Sequence, residues 1–135
     1  MKSEYQKAVA TADKWFSRYI RLKYSDNGVC KCYTSGNYKH ILEMDNGHFI
    51  GRANLSTRWH EDNARPQSTY ANRYRSGQHA EFRRNLIEEI GLERVEKLEA
   101  LPKNVKMMAF EVREIADHYR KKYNELKKTK GDYWT

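Results

Sequence analysis

A chain of 135 residues suits one domain, since a second would be too small to hold a core of its own. Hydrophobic residues make up 39% of it, with ten Tyr, four Phe and three Trp, so the expected core is lean and aromatic. Lys and Arg outnumber Asp and Glu by 26 to 18, a net charge of +8 that favours a polyanionic partner, and no apolar run nears the length of a membrane span.

The opening "MKSEYQKAVA" lacks the apolar centre of a signal peptide, so a cytoplasmic protein is expected. Residues 3–23 read as a helix. Tyr5, Ala8, Val9, Ala12, Trp15, Phe16, Tyr19 and Ile20 recur at three- and four-residue steps, and Ser3 is a suitable N-cap. "SDNG" at 25–28 ends this helix. Cys30 and Cys32 stand too close together for an easy disulfide. Residues 29–77 are rich in Gly, Asn, Ser and Thr, with β-like runs "VCKCY", "HILEM" and "HFIG". They suggest two or three short strands, a long loop through "RANLSTRWHEDN" and a helix starting near Ser68. Helical spacing resumes at 79–89, continues in "GLERVEKLEAL" and stops at Pro102. A last helix is expected over about 106–128, with Met108, Val112, Ile115, Tyr119, Tyr123 and Leu126 on one face. That stripe suits packing against residues 5–20 of the same chain, the favoured reading, or a homodimer seam. The tail "KKTKGDYWT" reads as frayed. The expected organisation is one α+β, mainly helical domain over 1–135, with helices at 3–23 and 78–128 around a core at 29–77.

The type of cation in that core is informative. Between His48 and Gly77 stand Arg52, Arg58, Arg65, Arg73 and Arg75 without a lysine, and the only acids are Glu61 and Asp62. The planar guanidinium fork suits bidentate phosphate contacts, so the segment is expected to grip a nucleic-acid backbone rather than only solvate a surface. His48, Asn63 and Asn72 stand where a hairpin followed by a helix could bring them together. A neutral imidazole can take a proton from water near pH 7. One carboxamide can hold the ring, and the oxygen of another can ligate a hard divalent cation that stabilises charge on a scissile phosphate. Taken alone, His48 reads more readily as a satisfied strand histidine; with the two asparagines in register, catalysis becomes the favoured reading.

"DNGHF", "TRWHEDN" and "QSTYANRYRSG" together resemble the HNH (ββα-metal) nuclease motif, and more narrowly the NinG/Rap family of phage recombination endonucleases. Asp45, Gly47, His48 and Phe49 match the family's first block; Arg58, Trp59, Glu61 and Asn63 its second; Gln67, Asn72, Ser76 and Gly77 its third. The helical segments "YQKAVATADKWFSRYI" and "LIEEIGLERVEKLEAL" are similar too. The resemblance implies a small treble-clef-like ββα core and a metal-dependent endonuclease acting on branched DNA such as a Holliday junction or D-loop. His48 would activate water, Asn63 orient it, and Asn72 with Asp45 hold Mg²⁺ or Mn²⁺. Symmetric cutting of a four-way junction would favour a homodimer, and a host recombination protein is a candidate second partner.

Two departures bear on that expectation. The family's zinc is held by two Cys-x-x-Cys pairs, whereas here Cys32 is followed by Ser35, and Ser68 and Ala71 fill the second pair. One ligand in four does not make a structural zinc site, so none is expected, and packing of Tyr33, Phe49, Trp59 and Tyr70 must hold the core. Many HNH nucleases place a metal-binding Asp directly before the His; here Gly47 stands there, and Asp45, on the same strand face, is either its substitute or a turn cap. Glu61 reads more readily as a salt-bridge partner of Arg58 than as a ligand, His60 and His79 as surface residues, and Arg75 as a phosphate clamp. The alternative reading is a structure-selective DNA-binding protein whose nuclease site has decayed.

Overall fold

The computed structural model describes residues 1–134. The first helix, α1 (Glu4–Lys23), begins in a full capping box: the Ser3 hydroxyl accepts from the Gln6 amide while the Gln6 side chain accepts from the Ser3 N–H. Its stripe is buried at Ala8, Ala12, Phe16, Tyr19 and Ile20. The last helix, α5 (Ala109–Lys130), lies against it and buries Val112, Ala116, Tyr119 and Tyr123. Aromatic pairs seal the seam, with Phe16 edge-on to Tyr119 at 4.8 Å and Trp15 beside Tyr123 at 5.6 Å. The α5 stripe therefore packs within its own chain.

Two small antiparallel sheets sit beside this pair. β1 (Ser25–Asp26), β2 (Val29–Lys31) and β3 (Tyr38–His40) form one of them. Asn27 and Gly28, with φ of 49° and 78°, make the tight Asn-Gly turn between β1 and β2, so "SDNG" opens a hairpin as well as ending α1. β4 (Met44–His48) and β5 (Ala64–Ser68) form the other, with Met44 opposite Ser68 and His48 opposite Ala64. The long loop between them contains one helical turn, α2 (Leu55–Arg58). The helix expected near Ser68 is instead a short π-helical turn at Tyr70–Tyr74, and α3 (His79–Ile90) starts only after a left-handed stretch at Ser76–Gln78. α3 packs on α4 (Leu92–Glu99) and buries Phe82, Leu86, Val95 and Leu98 with Phe49. The fold is α+β and mainly helical, as the sequence implies. No helix among the described residues is long and apolar enough to cross a membrane.

Three sequence expectations need correction. The tail is anchored rather than frayed: Lys130 donates to the carbonyls of Leu22, Lys23 and Ser25 at 3.1, 2.8 and 2.6 Å, capping the end of α1. Trp134 then packs on Tyr123, with the Arg18 and Arg21 guanidinium groups over its ring. Tyr70 does not join Phe49 and Trp59 in the core but stands 64% exposed. Met108, expected on the inner face of the last helix, is exposed as its N-cap.

Candidate functional site

β4 carries two of the side chains singled out in the sequence to the edge of a cleft of about 420 Å³. Asp45 and His48 come from this strand, Arg21 from α1, Arg52 from the loop that follows, and Asn72 and Arg73 from the π-helical turn. The cleft thus joins three of the four residues expected to carry the chemistry.

His48 is the last residue of β4, and its ring lies between α1 and the loop, 6.2 Å from Phe16. Nε2 stands 2.8 Å from the Arg58 carbonyl oxygen. A carbonyl can only accept, so Nε2 carries the proton of the neutral ring and Nδ1 keeps the lone pair. Burial, and after it the nearby Arg52 charge, lower the imidazole pKa to about 4, against the opposing effects of the Arg58 carbonyl, the Asp13 charge and the Asn46 backbone. The ring is therefore neutral at pH 7.

Gly47 owes its place to Gln67. A Cβ at position 47 would lie 2.0 Å from the Gln67 Oε1 and 2.6 Å from its Cδ. The fully buried Gln67 crosses this spot to donate from Nε2 to Thr34 Oγ1 at 3.0 Å and to the Gly77 carbonyl at 2.8 Å. An Asp before the histidine has no room here.

Asn63 lies away from the cleft, which corrects its expected role. It is fully buried and does not bond the imidazole. Its Oδ1 accepts from the Ile50 N–H at 2.8 Å, and its Nδ2 donates to the carbonyls of Ile50 and Thr57, both at 3.0 Å. The Phe49 N–H donates to its backbone carbonyl at 2.8 Å. Asn63 thereby pins the backbone on both sides of the β4–β5 loop, and positions His48 only through the chain that carries it.

Asp45 and Asn72 meet directly: Asn72 Nδ2 donates to Asp45 Oδ2 at 3.0 Å. Arg73 also spans the two Asp45 oxygens, at 3.0 and 3.2 Å. The Asp45 carboxylate and the Asn72 carboxamide oxygen are the hard donors here that could hold an ion such as Mg²⁺, although it is the Asn72 amide nitrogen that faces Asp45 and no cluster of three or more His, Cys, Asp or Glu stands among the described residues.

The arginines divide into two groups. Arg52, Arg73 and Arg75 are exposed, and of these Arg52 and Arg73 line the cleft. Arg65 corrects the expectation of a phosphate contact, because it is 1% exposed and fully engaged. It donates to the carbonyls of Glu61 and Ala64, both at 2.7 Å, and to both Glu89 carboxylate oxygens at 3.2 Å, with the rings of Tyr24 and Tyr33 beside it. Arg58 is likewise taken, forking onto Asp13 at 3.1 and 2.6 Å and donating to the Arg52 carbonyl. This ion pair ties the end of α2 to α1, next to the carbonyl that holds His48. Glu61, expected to pair with Arg58, pairs instead with Lys122 at 2.7 Å and Lys23 at 3.4 Å.

At the other end of the ladder, the positions of the family's second pair of thiolates meet Cys32. Its Sγ accepts from the Ser68 N–H at 3.2 Å and lies 3.6 Å from Ser68 Oγ, which accepts from the Ala71 N–H. Burial raises the thiol pKa, but hydrogen bonds with Ser35 and Ser68 outweigh it and bring the value down to about 6.

No curated protein and no solved structure matches this chain. A family model described as Bacteriophage Lambda NinG protein matches residues 2–130, so that α1, both sheets, the cleft and α5 all lie within the match. The chain belongs to the NinG family.

Proposed function

We propose that this protein is a metal-dependent endonuclease that hydrolyses DNA phosphodiesters in the cleft at the end of β4. Family membership points to a recombination-related role in phage, and branched recombination intermediates are the substrates it suggests. The observation that carries the reading is the state of His48: a neutral imidazole with Nε2 tied to the Arg58 carbonyl, in one cleft with Asp45 and Asn72. In the reaction, the His48 imidazole takes a proton from the water as its oxygen bonds to phosphorus, the phosphorus–oxygen bond to the leaving nucleotide breaks and its oxygen takes a proton from solvent, while the Arg58 carbonyl steadies the imidazolium. The Asp45 and Asn72 oxygens would hold Mg²⁺ or Mn²⁺, which when bound supplies positive charge to the scissile phosphate. Arg52 at the cleft, with the exposed Arg75 on the turn that carries Asn72, would grip the flanking backbone, a contact that costs affinity as salt rises.

A second reading rests on Arg73. Its guanidinium bridges both Asp45 oxygens, the seat a divalent ion would need, and so favours a protein that binds branched DNA without cutting it. Incubation of the purified protein with linear, nicked and four-way-junction DNA, with and without Mg²⁺ or Mn²⁺, separates the two. Metal-dependent cutting of the junction is expected; metal-independent binding without products establishes the second reading.

A further inference from the structure

The π-helical turn that brings Asn72 and Arg73 to the cleft also carries two tyrosines that the core does not use. Tyr70 and Tyr74 are 64% and 74% exposed. Their rings lie nearly parallel, 29° apart in plane with centroids 6.1 Å apart. Two large rings left side by side in water call for a partner. Their surroundings give its chemistry. Asn72, between them, lines the His48 cleft, and the exposed cations Arg73 and Arg75 belong to the same segment. Among the described residues, the acid that pairs with this turn is Asp45, already bridged by Arg73. Exposed aromatic faces among arginines, beside a pocket suited to phosphate, match a nucleotide: cations for the backbone, a ring face for the base. A continuous duplex hides its base faces in its own stack and offers such rings nothing. A base freed at a fork, gap or junction does offer a face.

Resting on the reading of the cleft as a DNA phosphate site, we propose that Tyr70 and Tyr74 form a stacking platform for an unpaired nucleobase flanking the phosphate in the cleft. They are specificity-determining residues that favour DNA with unstacked bases over uninterrupted duplex. The π-helical turn then has a purpose, since it sets the platform and the cleft residue Asn72 on one short segment.

The test uses oligonucleotides carrying 2-aminopurine, whose fluorescence falls when the base stacks, without divalent ions so that cutting plays no part. The wild-type protein is expected to quench a single-stranded or forked probe and to bind it more tightly than duplex of equal length. The double substitution Tyr70→Ala with Tyr74→Ala should remove the quenching and weaken binding of unpaired DNA about tenfold or more, leaving duplex affinity unchanged. Tyr70→Phe with Tyr74→Phe should restore both. Both side chains are exposed, so the melting temperature should not move. Equal losses on both DNAs, or no loss on either, would overturn the platform even if the protein cuts duplex with Mg²⁺. Conversely, quenching that depends on the tyrosines stands even if no cutting is ever seen. Failure of the wild-type protein to bind any DNA overturns both readings.

Discussion

The β4–β5 ladder is held at both ends by polar side chains, and the two ends are held differently. At the His48 end, Asn63 spends its carboxamide on three main-chain partners at 2.8–3.0 Å, with no exposed surface. At the Ser68 end, one sulfur makes longer contacts of 3.2 and 3.6 Å. The first arrangement is stiff because each bond is a full amide hydrogen bond and each partner would be costly to leave unpaired. The second is a softer set of longer contacts to one sulfur. The contacts at the Cys32 end therefore do not set the stiffness of the other, because the loop that follows His48 is fixed by its own asparagine and by the Arg58–Asp13 pair.

If the His48 end is the working end, the largest effect belongs to the imidazole. His48→Ala should lower junction cleavage by about 10²–10⁴-fold while leaving DNA affinity nearly unchanged. The pH profile sharpens the point. Because the ring's pKa lies near 4 rather than the ordinary 6.5, it stays a neutral base as pH falls from 7 to 5, and the rate should decline only close to pH 4. The linked stability runs the same way. An unfolded chain takes up a proton on this histidine below about pH 6.5 and the folded one does not until about 4, so stability should fall across that window, less steeply in His48→Ala. A rate that halves near pH 6.5 would place the base elsewhere.

Asn63→Ala comes next, and its effect is on stability. It strands a buried N–H and two buried carbonyls, and should cost about 2–4 kcal/mol in urea unfolding. Asn63→Asp keeps an acceptor for Ile50 but loses both donors, and should do no better. Were the carboxamide to act on the imidazole itself, Asn63→Ala would slow cleavage with the unfolding midpoint unmoved.

These residues also show what the sequence could and could not disclose. The spacing of apolar residues in α1 and α5, and the Ser3 cap, are local signals, and both helices were legible from them. His48, Asp45 and Asn72 could be grouped because the motif fixes their order on a hairpin and the turn after it. Arginines 65 and 73 look alike in sequence. What separates them is burial, since Arg65 meets Glu89 inside the fold while Arg73 meets Asp45 at its surface, each partner more than twenty residues away in the chain. The work of Asn63 was hidden because its partners are backbone groups, which carry no residue signature. The tail read as frayed because it is full of lysine, while the α1 carbonyls that Lys130 caps lie more than a hundred residues away.

Gly47 lies within the ladder itself and tests how tightly its middle is filled. Gly47→Ala drives a methyl into the Gln67 side chain, a clash expected to cost about 1–3 kcal/mol. Gln67→Ala alone should also destabilise, since its bonds to Thr34 and Gly77 are lost. The double variant should be less destabilised than the sum of the two, because the second change removes what the first collides with. Simple additivity would mean that Gln67 can move aside, and that the glycine stands there for another reason.

The smallest effect is expected at the opposite end. Cys32→Ala removes the acceptor of the Ser68 N–H and leaves a small void, and should cost about 1 kcal/mol. The cost should depend on pH with a definite sign. In the folded protein the thiol pKa is about 6, below its ordinary value, so between about pH 6 and 9 the folded chain holds a thiolate while the unfolded chain still holds the thiol. Stability from Cys32 is thus complete above the unfolded value and lost as pH falls through 6. Unfolding midpoints of the wild type and Cys32→Ala should lie closer together at pH 5 than at pH 9. A constant gap would mean that Ser35 and Ser68 do not hold the sulfur as an anion, leaving the two ends of the ladder different in strength but not in kind.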